Sequence, residues 1–311
     1  MHAMARPAAT ARARRRGITL REEVEFFLFV GLWLIGFLVF NAGPILATIV
    51  LSFTQWSMVK APVWIGLSNY VTLITNDPLF YKALLNTIYY TGVSVPLGMI
   101  LALLIAMLMN QKVRGIYLFR TIFYLPSVIS GVAVAILWAW LFHPQFGLIN
   151  FFLGLFGIQG PEWLFSLTWS MPAMIIMSLW SIGGSMLIYL AGLQSVPGHL
   201  YEAAAIDGAG VFTKFRHVTI PLISPVIFFN LVLSIIGSFQ VFTNIYVMTQ
   251  GGPANSTLVY VIYLYQKAFQ DFNMGYASAL AWILFLVIMF FTAIQFIFAP
   301  RWVYYEGEQR R

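Results

Sequence analysis

The sequence predicts an all-α, polytopic membrane protein with about six transmembrane helices. Three observations carry that prediction. Of 311 residues, 60 % are hydrophobic and 9 % charged, against roughly a quarter charged in soluble domains. That is too little charge to cover a water-facing surface, which excludes soluble, disordered and collagen-like chains. The apolar residues gather into six runs of about 20 or more, the length a bilayer core demands. The basic residues, finally, fall almost entirely on alternate connections between those runs.

In chain order, residues 1–25 form a basic tail. Its Arg-rich stretch from Arg6 to Arg21 has the composition of an organelle transit peptide, but Glu22, Glu23 and Glu25 follow at once and a topological role accounts for the arginines. Residues 26–84 hold the first run, Phe26–Val50, and an external loop. That run is too long for a signal-peptide core. Residues 85–300 hold the other five: Ile88–Met109, Phe119–Phe142, Met171–Leu193, Val226–Val247 and Ala277–Phe298. A short tail, 301–311, closes the chain. Each run is apolar around its whole circumference, as lipid-embedded helices are, and too long for barrel strands. Pro44, Pro96, Pro126 and Pro172 fall within or at the ends of runs, where neighbouring helices satisfy the freed backbone groups.

Orientation follows from the cations. Fourteen of the 17 Lys and Arg lie on one side: Arg6, Arg12, Arg14, Arg15, Arg16 and Arg21 in the first tail, Lys112, Arg114 and Arg120 after the second run, Lys214 and Arg216 after the fourth, and Arg301, Arg310 and Arg311 at the end. Only Lys60, Lys82 and Lys267 lie opposite. Both termini are therefore expected in the cytoplasm, and the net charge of +7 reads as a topology signal beside membrane lipids, with no nucleic-acid partner. The external loops, Ser52–Asn86, His143–Ser170 and Met248–Tyr276, are too short for independent domains. With no Cys, disulfides and thiolate metal sites are excluded.

One connection carries distinctive chemistry. Between runs four and five, residues 194–221 contain an Ala-rich stretch bounded by Pro197 and Gly208. Pro suits a first helical turn and Gly a left-handed C-terminal cap, so a short cytoplasmic helix with a small-residue face is expected. Composition alone fits two roles for it: a docking element for another surface, with Glu202 and Asp207 for directional contacts, or an amphipathic helix lying on the membrane.

The order of residues here resembles a known pattern. Glu202-Ala203-Ala204, three residues, Gly208, nine residues and Val218-Thr219-Ile220-Pro221 look like the EAA loop of bacterial ABC importer permeases, with Val218 and Ile220 replacing the usual Ile and Leu. Gly66-Leu67-Ser68-Asn69-Tyr70, Asn86-Thr87, Leu190 to Gln194, Ser238 to Phe242, Thr249 to Ala254, Tyr263 to Phe269 and Met274 to Ala279 extend the likeness over roughly residues 26–300. It is to the MalF/UgpA/LacF-like carbohydrate permeases, with a MetI-like transmembrane domain, in the bacterial inner membrane. The resemblance implies a second permease subunit, a cytoplasmic ATPase dimer, an extracytoplasmic solute-binding protein and a carbohydrate substrate. It also implies that Tyr201, Glu202, Ala203, Ala204, Asp207 and Gly208 contact the ATPase or set the loop's geometry; for Gly208, capping and direct contact stand side by side.

No nucleotide engine is visible. A P-loop needs Gly-Lys-Ser/Thr after a Gly-rich turn, and none of the five lysines follows Gly. The chain is therefore expected to be no enzyme and to bind no cofactor, with ATP and Mg held by the partner ATPase. His143, His199 and His217 are scattered and form no metal-ligand spacing. Glu22/Glu23 and Glu306/Glu308 read as tail charges rather than paired hydrolytic acids.

Intramembrane polar groups are costly and often functional. Ser178, Trp180 and Ser185 in the fourth run and Ser234, Ser238, Gln240 and Asn244 in the fifth are the candidates for a substrate path. Four of them, Ser178, Ser185, Ser234 and Ser238, fall where the maltose permease resemblance implies sugar contacts. Helix–helix hydrogen bonding and close packing are the alternative for every Ser, and packing for Trp180, Phe239 and Tyr246. Nearly charge-free spans suit a neutral, hydroxyl-rich solute. Glycerol-3-phosphate or another polar solute on the same fold is the alternative, although a phosphate would want Arg or Lys near the path. An ion-coupled transporter or a membrane-embedded enzyme would need intramembrane charge or a catalytic cluster that the spans lack.

Overall fold

The computed structural model describes residues 20–304. The basic stretch from Arg6 to Arg16, Glu306, Glu308, Arg310 and Arg311 lie outside the described residues. The chain divides into two units, residues 1–50 and 51–311.

In the first unit, α1 (Leu20–Phe37) passes through a π-helical turn, Leu38–Ala42, into α2 (Gly43–Ser52). The π-turn lies just ahead of Pro44, whose missing N–H interrupts the helical ladder. From Val24 to Ser52 the helix is long and apolar enough to cross a membrane, matching the first predicted run.

The second unit opens with a two-stranded antiparallel hairpin, β1 (Thr54–Gln55) and β2 (Val63–Trp64), and a short helix, α3 (Ser68–Thr75). The long helix α4 (Pro78–Met109) follows. It begins ten residues before the predicted run because Asp77 caps it, its carboxylate accepting from Phe80 N at 3.1 Å, and Pro78 takes the first position.

The third predicted run is not one helix. It splits into α5 (Ile116–Tyr124) and α6 (Gly131–Leu141), bent by 94° across Pro126 and Ser130. The fourth splits into α8 (Ser170–Trp180) and α9 (Gly183–Ser195), bent by 46°, after a short helix, α7 (Leu148–Leu155). The coupling segment then gives α10 (Gly198–Ile206) and α11 (Val211–Lys214), and a π-helical turn leads into α12 (Ile220–Phe239). The fifth run breaks at residues 240–242 before α13 (Thr243–Thr249). Then α14 (Tyr260–Tyr265) precedes α15 (Met274–Phe298), which matches the sixth predicted run.

Motif residues at the end of the bundle where α4 begins act as staples. Asn69 Nδ2 donates to Ser52 O and Thr54 O at 2.8 and 2.9 Å, and Asn86 Nδ2 donates to Asn255 O and Leu258 O, both at 3.0 Å. Tyr260 N donates to Thr87 Oγ1 at 2.8 Å. The Tyr263 and Tyr276 hydroxyls both donate to Asp77 Oδ2. Burial, with the Asp77 bond second, pushes the Tyr263 pKa well above its ordinary value, so it remains a donor. Gly275 lets α15 pass against the hairpin: a Cβ there would overlap Thr54 O. Beneath these staples lies the larger core, built on Phe80, Tyr90, Met174, Met177, Tyr260 and Tyr263.

Candidate substrate cavity and coupling loop

The coupling segment is organised by its two ends. Pro197 sits one residue earlier than expected, as the extended N-cap of α10 rather than within its first turn. Gly208 takes φ +78°, a left-handed conformation that glycine adopts without Cβ penalty. Ala209 N donates to Ala204 O at 2.8 Å and Gly208 N to Ala205 O at 3.1 Å, which together form a Schellman cap. One side chain ties the helix to the next span: Tyr201 and Thr219 share a hydroxyl–hydroxyl bond of 3.0 Å, with Thr219 buried. Glu202, Ala203, Asp207 and Gly208 are exposed, and Ala204 is half-buried. Sequence reasoning missed Ile206, Val211 and Phe212, which are 87, 87 and 73 % exposed around the cap. Their signal was available, since large apolar residues in a connection between spans need a cover.

Five of the seven predicted path residues meet. Ser178, Ser185, Ser234, Ser238 and Asn244 line one cavity of about 430 Å³ between α4, α8, α9 and α12, within the range of ligand sites. Ser178 Oγ donates to Ile175 O at 2.7 Å and Ser238 Oγ to Ile235 O at 2.9 Å, which leaves their lone pairs to accept from a solute. Trp180 and Gln240 do not line it. The Trp180 ring stands edge-on to Trp138 with centroids 6.1 Å apart. Gln240 lies at the break after α12 and faces a separate apolar cavity beside Leu264 and Leu284. Both were assigned by span membership, and one helix presents successive residues on different sides. Phe239 is core and Tyr246 stacks on Phe242, as packing residues.

Missed by sequence reasoning were Tyr90, Ser94 and Ser181, which complete the polar lining. The i,i+4 pair Tyr90/Ser94 on one face of α4 was the signal that could have found two of them.

The helix breaks collect at this cavity. A Cβ on Gly183 would press on Phe123 O and Tyr124 Cα, so the breaks of the third and fourth runs touch. Gly131, at the start of α6, lies against Asn244 and Thr243, beside the break of the fifth. Irregular backbone at membrane depth is tolerated where it is buried in protein or lines a polar cavity.

Residues 94–304 match the family described as the binding-protein-dependent transport system inner membrane component. The chain belongs to this family. Every cavity residue except Tyr90, and the whole coupling loop, lie within the matched region. The permease is 40 % identical over 305 residues to the probable ABC transporter permease protein YesP of Bacillus subtilis, covering 97 % of this chain and 98 % of that one. It is 38 % identical to the lactose transport system permease protein LacF of Rhizobium radiobacter, over 88 % of this chain and 93 % of the other. Among solved structures it superposes on a chain of a bacterial alginate ABC transporter, in complex with an alginate pentasaccharide-bound periplasmic protein. The TM-score is 0.80 and the identity 25 %, over 91 % of this chain and 96 % of that one. The permease is thus a multi-pass transport subunit of an ABC importer.

Proposed function

We propose that this permease supplies one wall of the path by which a carbohydrate enters the cell, and transmits the force of ATP hydrolysis to that wall. One observation carries the reading: α9 and α12, which both line the polar cavity, are the two helices joined through α10. A push on α10 therefore reaches α9 directly and α12 through α11 and the π-helical turn. The cap and the Tyr201–Thr219 bond stiffen that connection, and the exposed Ile206, Val211 and Phe212 offer it an apolar seat.

In this reading a separate ATPase dimer receives α10, holding ATP and Mg, and a second permease closes the path. An extracytoplasmic binding protein delivers the solute, and both termini face the cytoplasm, as the distribution of Lys and Arg supports. A cavity that sets the hydroxyls of Ser94, Ser178, Ser181, Ser185, Ser234 and Ser238 beside apolar side chains suits a sugar, and LacF, AraP and SmoG are named for lactose, arabinooligosaccharide and sulfoquinovosyl glycerol transport. Co-purification with the products of neighbouring genes, followed by ATPase assays in liposomes, tests it. Sugar-loaded binding protein is expected to stimulate hydrolysis; transport by this chain alone, without any ATPase, would overturn the reading.

A further inference from the structure

Helix α7 offers water no polar side chain. Between Phe146 and Ile158 the only polar side chain is that of Asn150, and it is spent inward. Its Nδ2 donates to Pro144 O and Pro161 O at 3.0 and 3.2 Å, and its Oδ1 accepts from Trp163 Nε1 at 2.7 Å. Ile149 and Leu153, four residues apart, pack on the larger core. The opposite side is apolar as well: Phe151, Phe152, Leu155 and Phe156 are 60, 56, 66 and 80 % exposed. A helix apolar all round is covered by protein or by lipid, and here the chain itself covers one side.

The helix also starts against a span. Gly147 is buried, and a Cβ on it would overlap Leu141 O and His143 O at the end of α6. Trp140, in the last turn of α6, and Trp169, at the N-cap of α8, are both exposed, and Trp collects at the membrane–water boundary. Large exposed apolar residues continue along the chain from Ile136, Leu137 and Trp140 through Phe146 into α7.

We propose that α7 is a lipid anchor embedded at the bilayer edge, with Phe151, Phe152, Leu155 and Phe156 among acyl chains. Gln159, beyond the left-handed turn at Gly157 (φ +72°), stands in water. The lipid is met through its chains rather than its headgroup, since α7 carries no Lys or Arg for a phosphate. A protein that docks and leaves would abandon four large apolar side chains to water between visits. Transient interfaces also carry about one hydrogen bond per 100–200 Å², for which this face has no side-chain donor or acceptor. The anchor holds the connection between α6 and α8 to the membrane, and it is independent of which solute is carried.

The chain has no Cys, so single Cys substitutions can carry a nitroxide label. The full transporter, with its partner subunits freed of Cys, is reconstituted without binding protein in vesicles of phosphatidylcholine and phosphatidylglycerol. Labels are placed at Phe152→Cys, Phe156→Cys and Gln159→Cys, all exposed positions that leave the core untouched; Phe151→Cys and Leu155→Cys replace the first two if either fails to assemble. Spin relaxation by oxygen, which collects among acyl chains, is compared with relaxation by a nickel chelate, which stays in water. Oxygen is expected to be the stronger relaxer on α7, with the ratio inverted at Gln159→Cys. Stronger relaxation by nickel on α7 overturns the proposal, and nickel access lost on adding binding protein would assign the face to docking instead. Shielding from both reagents also overturns it and places a partner subunit there.

Discussion

Replacing Gly208 separates the stability of the coupling loop from its use. The residue holds φ +78°, and a Cβ built there meets nothing within 4 Å. The cost of Gly208→Ala is therefore backbone strain alone, about 1–2 kcal/mol for an L-residue in the left-handed region. Asn and Asp visit that region more readily, so Gly208→Asn and Gly208→Asp cost less. A penalty of this size shifts the closing of the cap by roughly 5–30-fold, too little to unfold a protein with the buried core described above. All three variants are expected in the membrane at normal abundance, with an intact gel-filtration profile. Gly208→Asp also places a charge on the exposed face beside Asp207, so in proteoliposomes it is expected to hydrolyse ATP without sugar uptake. Gly208→Ala should fall between it and wild type. Normal uptake by Gly208→Asp would refute the assignment of this surface to the motor.

Tyr201→Phe removes the hydroxyl bonded to buried Thr219, costing about 1 kcal/mol; it should lower uptake more than ATPase rate in the same proteoliposomes. Asn86→Ala removes two donors from the carbonyls of Asn255 and Leu258, and about 2 kcal/mol should appear as a lower melting temperature in detergent without altered membrane insertion. Gly275→Ala drives a Cβ into Thr54 O, a backbone clash that should reduce the amount of protein in the membrane, read by immunoblot. Asn244→Ala should raise the KM of uptake, whereas Gln240→Ala, outside the cavity, should leave KM unchanged.

Much of the architecture was legible because lipid imposes a simple rule: about 20 apolar residues make a span. That rule located four helices long enough to span and two bent pairs, but could not see the bends. Pro126 read as a tolerated proline, and Ser178 and Ser185 as path candidates, within single apolar runs, when bends of 94° and 46° fall there. Hydropathy sums side chains, and the bends are backbone events stabilised by contact with other broken helices. Gly208 was readable as a cap because the left-handed conformation has a residue-level signature. The cavity was partly readable: composition identified the Ser-rich faces of the fourth and fifth runs, but which side of each helix meets α4 depends on packing, so Tyr90 and Ser94 were missed and Trp180 and Gln240 were included. Asn69, Asn86 and Gly275 stood out in the sequence as motif residues, yet only the fold reveals them as staples.

Those staples have a mechanical consequence. Asp77 joins the outer ends of α4, α14 and α15 through a single carboxylate, while Asn69, Asn86 and Thr87 fasten the hairpin and the external loops to the same corner. Each bond spans a long stretch of chain and several are buried, so the outer rim moves as one block. The block formed by these bonds carries the ends of α4, α14 and α15 together, so a movement of one is passed to the other two.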